Sequence, residues 1–170
     1  MPAARLACAL AAAGIVAVLA GSCRRSACKA AEASCECPEG ASCAQECAGI
    51  TGCAVRCASH NGDCSIVAGD ACTADCDDAD GCKATCGRGS RITCTRAAKK
   101  CDVAVGDGSF VHCQGALPCD VRCAGGCDVD CPGGHCIVAC GAPGRCHLSC
   151  DGAVGTCADG STVVCGVACQ

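Results

Sequence analysis

Cysteine recurs through this chain in a five-residue unit, Cys-x-apolar-x-Cys, and 28 of its 170 residues are cysteine. That density leaves two kinds of molecule open, a scaffold held by disulfides or a protein folded around metal thiolates, and the redox compartment decides between them.

The N-terminus points outside the cytoplasm. Arg5 precedes an uninterrupted, weakly apolar run from Leu6 to Ala20, followed by Gly21, Ser22 and Cys23, which reads as a signal peptide over residues 1–22. Fifteen residues is short for a membrane-spanning helix, which needs about 20. Ala20-Gly21-Ser22-Cys23 also resembles the lipobox of bacterial lipoproteins, in which the cysteine is acylated and becomes the first mature residue. The alternative is ordinary signal-peptidase cleavage after Ser22. Parity favours the lipid: without Cys8 the mature chain has 27 cysteines, and acylation of Cys23 leaves 26, all of which can pair. Arg24 stands where Asp would retain a lipoprotein in the inner membrane, so the lipobox resemblance implies the outer membrane, with periplasmic or secreted protein as the alternative.

Alanine and cysteine supply most of the apolar fraction. Beyond residue 22 the large apolar side chains are one Phe, two Leu, four Ile and twelve Val. At about 1.5–3 kcal/mol for each well-buried side chain, these nineteen do not offset the ordering entropy of the mature chain, and crosslinks must make up the difference. Without Arg5 the mature chain has 12 basic and 17 acidic residues, a net charge near −5. It has no basic stripe interleaved with aromatics, so nucleic acid is not an expected partner.

Residues 23–42 read as a tether, basic at Arg24, Arg25 and Lys29 and then acidic at Glu32, Glu36 and Glu39, with a short helical turn near Lys29 to Ser34. The repeat occupies residues 43–170. Its clearest copies begin at Cys53, Cys119, Cys127, Cys136 and Cys146, and weaker ones begin at Cys43, Cys64, Cys72, Cys82 and Cys101. In GSRITC, GSFVHC and GSTVVC, which end at Cys94, Cys113 and Cys165, serine replaces the first cysteine. Cysteine, a central Val, Ile, Ala or Leu, and cysteine alternate with mainly polar residues, the period-two pattern of a strand with one buried face. Glycine-rich links between units supply the turns and break any helical reading.

From Cys64 onward the units begin at 64, 72, 82, 90, 101, 109, 119, 127, 136 and 146, so short and long steps alternate for most of the run. The true period is therefore a pair of strands, about 18 residues, with two inequivalent turns. An all-β, narrow, two-sided disulfide-rich β-solenoid follows, with an antiparallel disulfide-bridged meander as the alternative. The solenoid is preferred because a single-layer meander has nowhere to bury its Cys-Val-Cys face.

The faces of a flattened coil lie about 10 Å apart at mid-strand, too far for a disulfide, and converge at the turns. Bridges therefore belong at strand ends, joining the last cysteine of one unit to the first of the next: Cys47 to Cys53, Cys57 to Cys64, Cys76 to Cys82, Cys94 to Cys101, Cys113 to Cys119, Cys123 to Cys127, Cys131 to Cys136 and Cys140 to Cys146. At one turn both partners are absent together, as Val105 and Ser109. Cys72 faces Ala68 and Cys86 faces Ser90; stacking of neighbouring coils pairs these two cysteines with each other. The remaining eight, Cys28, Cys35, Cys37, Cys43, Cys150, Cys157, Cys165 and Cys169, would crosslink the two ends, making thirteen bridges.

A metallothionein-like store is the main rival, but its ligands come as Cys-x-Cys clusters, and here that spacing occurs once, at Cys35 and Cys37. No resident metal or other cofactor is expected. Asp75, Asp77, Asp78 and Asp80 lack the alternation of an EF-hand loop and read as a solvated acidic turn. His60, His112, His135 and His147 fall on turns or outward strand positions. No nucleophile triad, phosphate loop or nucleotide fingerprint is present.

The signal with Cys23 and repeats such as CDVRCAGGCDVDCPGGHCIVAC, which cover most of the chain, resemble those of exported cysteine- and glycine-rich repeat proteins of high-GC bacteria, many with lipoprotein signals. The expectation is a non-enzymatic envelope or surface lipoprotein, held to the membrane by its lipid, whose rigid scaffold is a spacer or binding surface for a protein or surface ligand. The alternative function is a thiol-based metal-sequestering or redox-buffering protein.

Overall fold

The computed structural model describes residues 24–27, 34–37, 42–58, 62–97, 99–115 and 118–169. The period-two units become strands. In chain order they are β1 (Arg24–Ala27), β2 (Ser34–Glu36), β3 (Cys43–Cys47), β4 (Ala54–Ala58), β5 (Asp63–Ala68), β6 (Thr73–Asp77), β7 (Gly81–Cys86), β8 (Arg91–Thr95), β9 (Lys100–Val105), β10 (Ser109–Gln114), β11 (Cys119–Cys123), β12 (Cys127–Cys131), β13 (Cys136–Cys140), β14 (His147–Cys150), β15 (Val154–Thr156) and β16 (Thr162–Cys165).

Odd strands from β1 to β13 lie side by side in one sheet, and even strands from β2 to β14 in the other. Every pairing among them is parallel, which identifies the β-solenoid and removes the meander. Successive odd strands pair Cys43 with Cys64, Cys64 with Cys82, Cys82 with Cys101, Cys101 with Cys119 and Cys119 with Cys136, five turns from β3 to β13. Identical positions thus stack coil on coil.

Alternation puts the same positions inside each coil. In β5 the buried residues are Cys64, Ile66 and Ala68, and in β11 they are Cys119, Val121 and Cys123. From β5 to β12 the central inward positions complement one another, Ile66 with Ala74, Ala84 with Ile92, Val103 with Val111 and Val121 with Val129, all buried, while larger pairs stand at the two ends, Gln45 with Val55 and Val138 with Leu148. In the two coils from β5 to β8 a large side chain on one strand goes with a small one on the other, which keeps the narrow interior closely packed.

Close stacking also selects the turn residues. A Cβ on Gly87 would lie 2.8 Å from the Asp70 backbone nitrogen of the preceding coil. The residue one or two places before an even strand takes a left-handed backbone at Gly52, Ala71, Gly89 and Gly108. Each donates its N–H to a turn carbonyl of the next coil, of Asp70, Arg88, Asp107 and Gly126 respectively.

Two expectations change. Within the expected tether of residues 23–42 the described segments do not stand apart, because β1 pairs in register with β3 and β2 with β4, extending both sheets. Ser34, at the end of the expected helical turn, begins β2; Lys29 to Ala33 lie outside the described residues. GSTVVC does not continue the winding either. Its strand β16 pairs antiparallel with β13 and with β15, so the chain folds back over the end of the odd-strand sheet.

Candidate functional site: sulfur columns and charged outer faces

The turns divide into two edges, one crossed from odd to even strands and the other from even to odd. On the even-to-odd edge every turn described carries a bridge: Cys37–Cys43, Cys57–Cys64, Cys76–Cys82, Cys94–Cys101, Cys113–Cys119 and Cys131–Cys136, and then Cys150–Cys165 at the fold-back. The odd-to-even edge carries Cys47–Cys53, Cys123–Cys127 and Cys140–Cys146. Cys72 and Cys86 are joined between neighbouring coils, with Cα atoms 5.9 Å apart, inside the disulfide range. The structure therefore brings together all nine pairs placed at strand ends. Cys157–Cys169 ties the fold-back to itself, so the terminal cysteines described bond within each end and not between ends.

Stacking sets bridges of successive coils against one another. The sulfurs of Cys76, Cys82 and Cys94 lie within 4.8 Å of each other, as do those of Cys101, Cys113 and Cys119, of Cys37, Cys43 and Cys57, and of Cys123, Cys127 and Cys146. Cys37 and Cys57 sulfurs are 3.2 Å apart, and Cys127 and Cys146 sulfurs 3.9 Å. As disulfides these sulfurs have no charge with which to hold a cation. As thiolates, each triad is a donor set for a soft metal ion.

The sequence shows where serine stands in place of a thiol but not what its hydroxyl bonds to. Ser90 and Ser109 are each 2% exposed. The Cys72 N–H donates to Ser90 Oγ at 3.1 Å, and the Ser90 N–H donates to Ser109 Oγ at 3.1 Å. Ser90 Oγ donates in turn to the Gly87 carbonyl at 2.9 Å. Aspartates in the turns serve the same purpose: Asp70 accepts from the Arg88 N–H (2.8 Å), Asp107 from Gly126 (2.6 Å) and Asp151 from Gly133 (3.0 Å), each in an adjacent coil. Their sequence trace is a polar residue recurring at the coil period in turns, a signal much weaker than that of the cysteines.

The outer faces carry charge ladders. On the odd-strand face Lys100 reaches Asp120 at 2.8 Å and Arg122 reaches Asp102 at 3.0 Å. On the even-strand face His112 meets Asp130 at 2.9 Å, and the Arg91 guanidinium stands 4.7 Å from the centre of the Phe110 ring. The acidic turn is neutralised from the next coil. Asp77 accepts from Thr95 and Arg96, which hold its carboxyl below the usual range, and Asp80 pairs with Lys99, whose ammonium is shifted upward by that hydrogen bond. Such exposed pairs are screened by solvent and set surface pattern more than stability. His135 lies in a turn with positive φ and His147 is outward on β14.

At the fold-back, Asp159 accepts four hydrogen bonds from Ser161 and Thr162, and those from Thr162 and then Ser161 pull its carboxyl down to about 2. Beside it a cavity of about 320 Å³ is lined by Ile137, Ala158, Thr162 and Val164, with Cys157 and Cys169. Cys23, Cys28 and His60 lie outside the described residues, and of Cys35 only the backbone is described.

Comparison with family models, with curated proteins and with solved structures finds no match to this chain. The disulfide-laddered solenoid is thus the firm class, and its bridges are consistent with folding in an oxidising compartment.

Proposed function

We propose that the chain is a non-enzymatic lipoprotein of the bacterial cell envelope, acylated at Cys23 and held in the outer membrane, whose solenoid is a rigid spacer or binding surface. The observation that carries the scaffold part of this reading is the unbroken column of bridges on one edge, where each coil is closed covalently. Five coil steps of about 4.8 Å make a rod of roughly 24 Å between β3 and β13, with two flat charged faces for a protein or surface ligand. Replacing Cys23 by Ser is expected to move the protein from the membrane fraction to the soluble one, with loss of the acyl mass. Wild-type protein without acyl mass at Cys23 would overturn the anchoring.

The sulfur triads favour one second reading, a metal-sequestering or redox-buffering protein that acts when reduced. Intact mass before and after alkylation, without reductant, separates the two. The scaffold gives about thirteen bridges and no zinc; stoichiometric zinc with free thiols puts the store first.

A further inference from the structure

Three consecutive bridges on the even-to-odd edge have an arrangement the scaffold role does not require. The middle bridge, Cys94–Cys101, turns one sulfur toward each neighbour. Cys94 forms a triad with the Cys76–Cys82 pair, and Cys101 forms one with the Cys113–Cys119 pair, each within 4.8 Å. All six cysteines are buried at 2% exposure or less, so small thiols in solution compete poorly with a neighbouring sulfur.

We infer that these six cysteines form a thiol–disulfide exchange path, along which one free thiol passes between coils while the solenoid stays folded. Starting from a Cys76 thiolate, its sulfur attacks Cys94. A Cys76–Cys94 bond forms, the Cys94–Cys101 bond breaks, and the electron pair leaves on Cys101. The Cys101 thiolate then attacks Cys113 or Cys119, forming a bond to one and releasing the other as thiolate. Each step makes one disulfide and breaks one, so no oxidant or reductant is consumed. The use of such a path follows from the repeat. Coils this similar can pair in wrong registers as the chain oxidises, and a thiol that moves along the edge would correct a wrong bridge without unwinding the coils. The inference needs only the stacked sulfurs and stands apart from the question of the lipid anchor.

The test is a lone thiol placed at one end. In Cys82→Ser protein, Cys76 has lost its mate. After incubation, acid quench, alkylation in denaturant and peptide mapping, label is expected at Cys76, Cys101, Cys113 and Cys119 in amounts within about tenfold of one another. A Cys76–Cys94 bridge accompanies it. Cys119→Ser is the reverse experiment, with Cys113 as the starting thiol and label arriving at Cys94, Cys76 and Cys82; it serves if the first variant does not fold. Cys131→Ser is the control, because it frees Cys136, which belongs to none of the four triads. Label confined to Cys76 in the first variant and to Cys113 in the second overturns the path. Label spreading equally from Cys136 also overturns it, since that is general scrambling and not a route.

Discussion

The paired volumes inside the coils predict a specific coupling between Ala84 and Ile92, the central inward residues of β7 and β8, which are 1% and 0% exposed. Ile92→Val deletes one buried methylene and should cost about 1 kcal/mol. Ala84→Val inserts two carbons beside an unchanged Ile92 and should cost about 2 kcal/mol through overpacking. Together the substitutions recreate the Val–Val pair that the next two coils already carry, as Val103 with Val111 and Val121 with Val129. The double variant should therefore lose about 1 kcal/mol or less, where the sum is about 3, a coupling of about 2 kcal/mol. The chain has neither Trp nor Tyr, so unfolding is best followed by far-ultraviolet circular dichroism in guanidinium, with the bridges kept oxidised. Additivity within about 0.5 kcal/mol would mean that these residues do not share one packing space, and would refute the cross-section argument.

Ala71, exposed and at φ 55°, sits in a turn position that Gly52, Gly89 and Gly108 fill in other coils, so Ala71→Gly should stabilise the protein by about 1 kcal/mol in the same unfolding assay. An unchanged or lower midpoint would show that this backbone carries no penalty there. The Asp159 carboxyl, depressed from 3.8 to about 2, stabilises the fold-back above its ordinary value and loses that contribution as pH falls from 3.8 through about 2. A carboxyl-carbon NMR titration should place its midpoint near 2, and Asp159→Asn should remove this part of the acid-side loss of stability; a midpoint near 3.8 would contradict the four hydrogen bonds.

Much of the fold was legible because one residue type marks both ends of each strand while a branched apolar residue marks its centre. In Cys119-Asp-Val121-Arg-Cys123 the alternation gives the buried face, and the distance to Cys127 gives the turn and its bridge. Pattern of this kind carries no direction. GSTVVC has the same local alternation as GSFVHC, yet β10 runs parallel to its neighbours while β16 runs antiparallel, because the longer excursion from Cys150 to Thr162 leaves room to reverse. The extension of both sheets through Arg24–Ala27 and Ser34–Glu36 was hidden for the opposite reason. Those segments lack the Cys-x-apolar-x-Cys unit, and their pairing comes from the exposed edges of β3 and β4, to which any extended backbone can add.

The two edges differ in what their linkages resist. On the even-to-odd edge each bridge closes its own coil. On the odd-to-even edge, between β5 and β10, that closure is missing, at Ala68 opposite Cys72, at Cys86 opposite Ser90 and at Val105 opposite Ser109. The ties in that stretch run between coils instead: the Cys72–Cys86 bridge joins the coil of β5 and β6 to that of β7 and β8, and the Ser90 and Ser109 hydroxyls continue the link one coil further. A buried serine would ordinarily cost about 1–3 kcal/mol unless hydrogen-bonded, and here the amide of the adjoining coil supplies the partner. Losing a thiol at one turn is therefore accommodated by bonding along the stack, which explains why serine replaces cysteine at this edge without opening the solenoid.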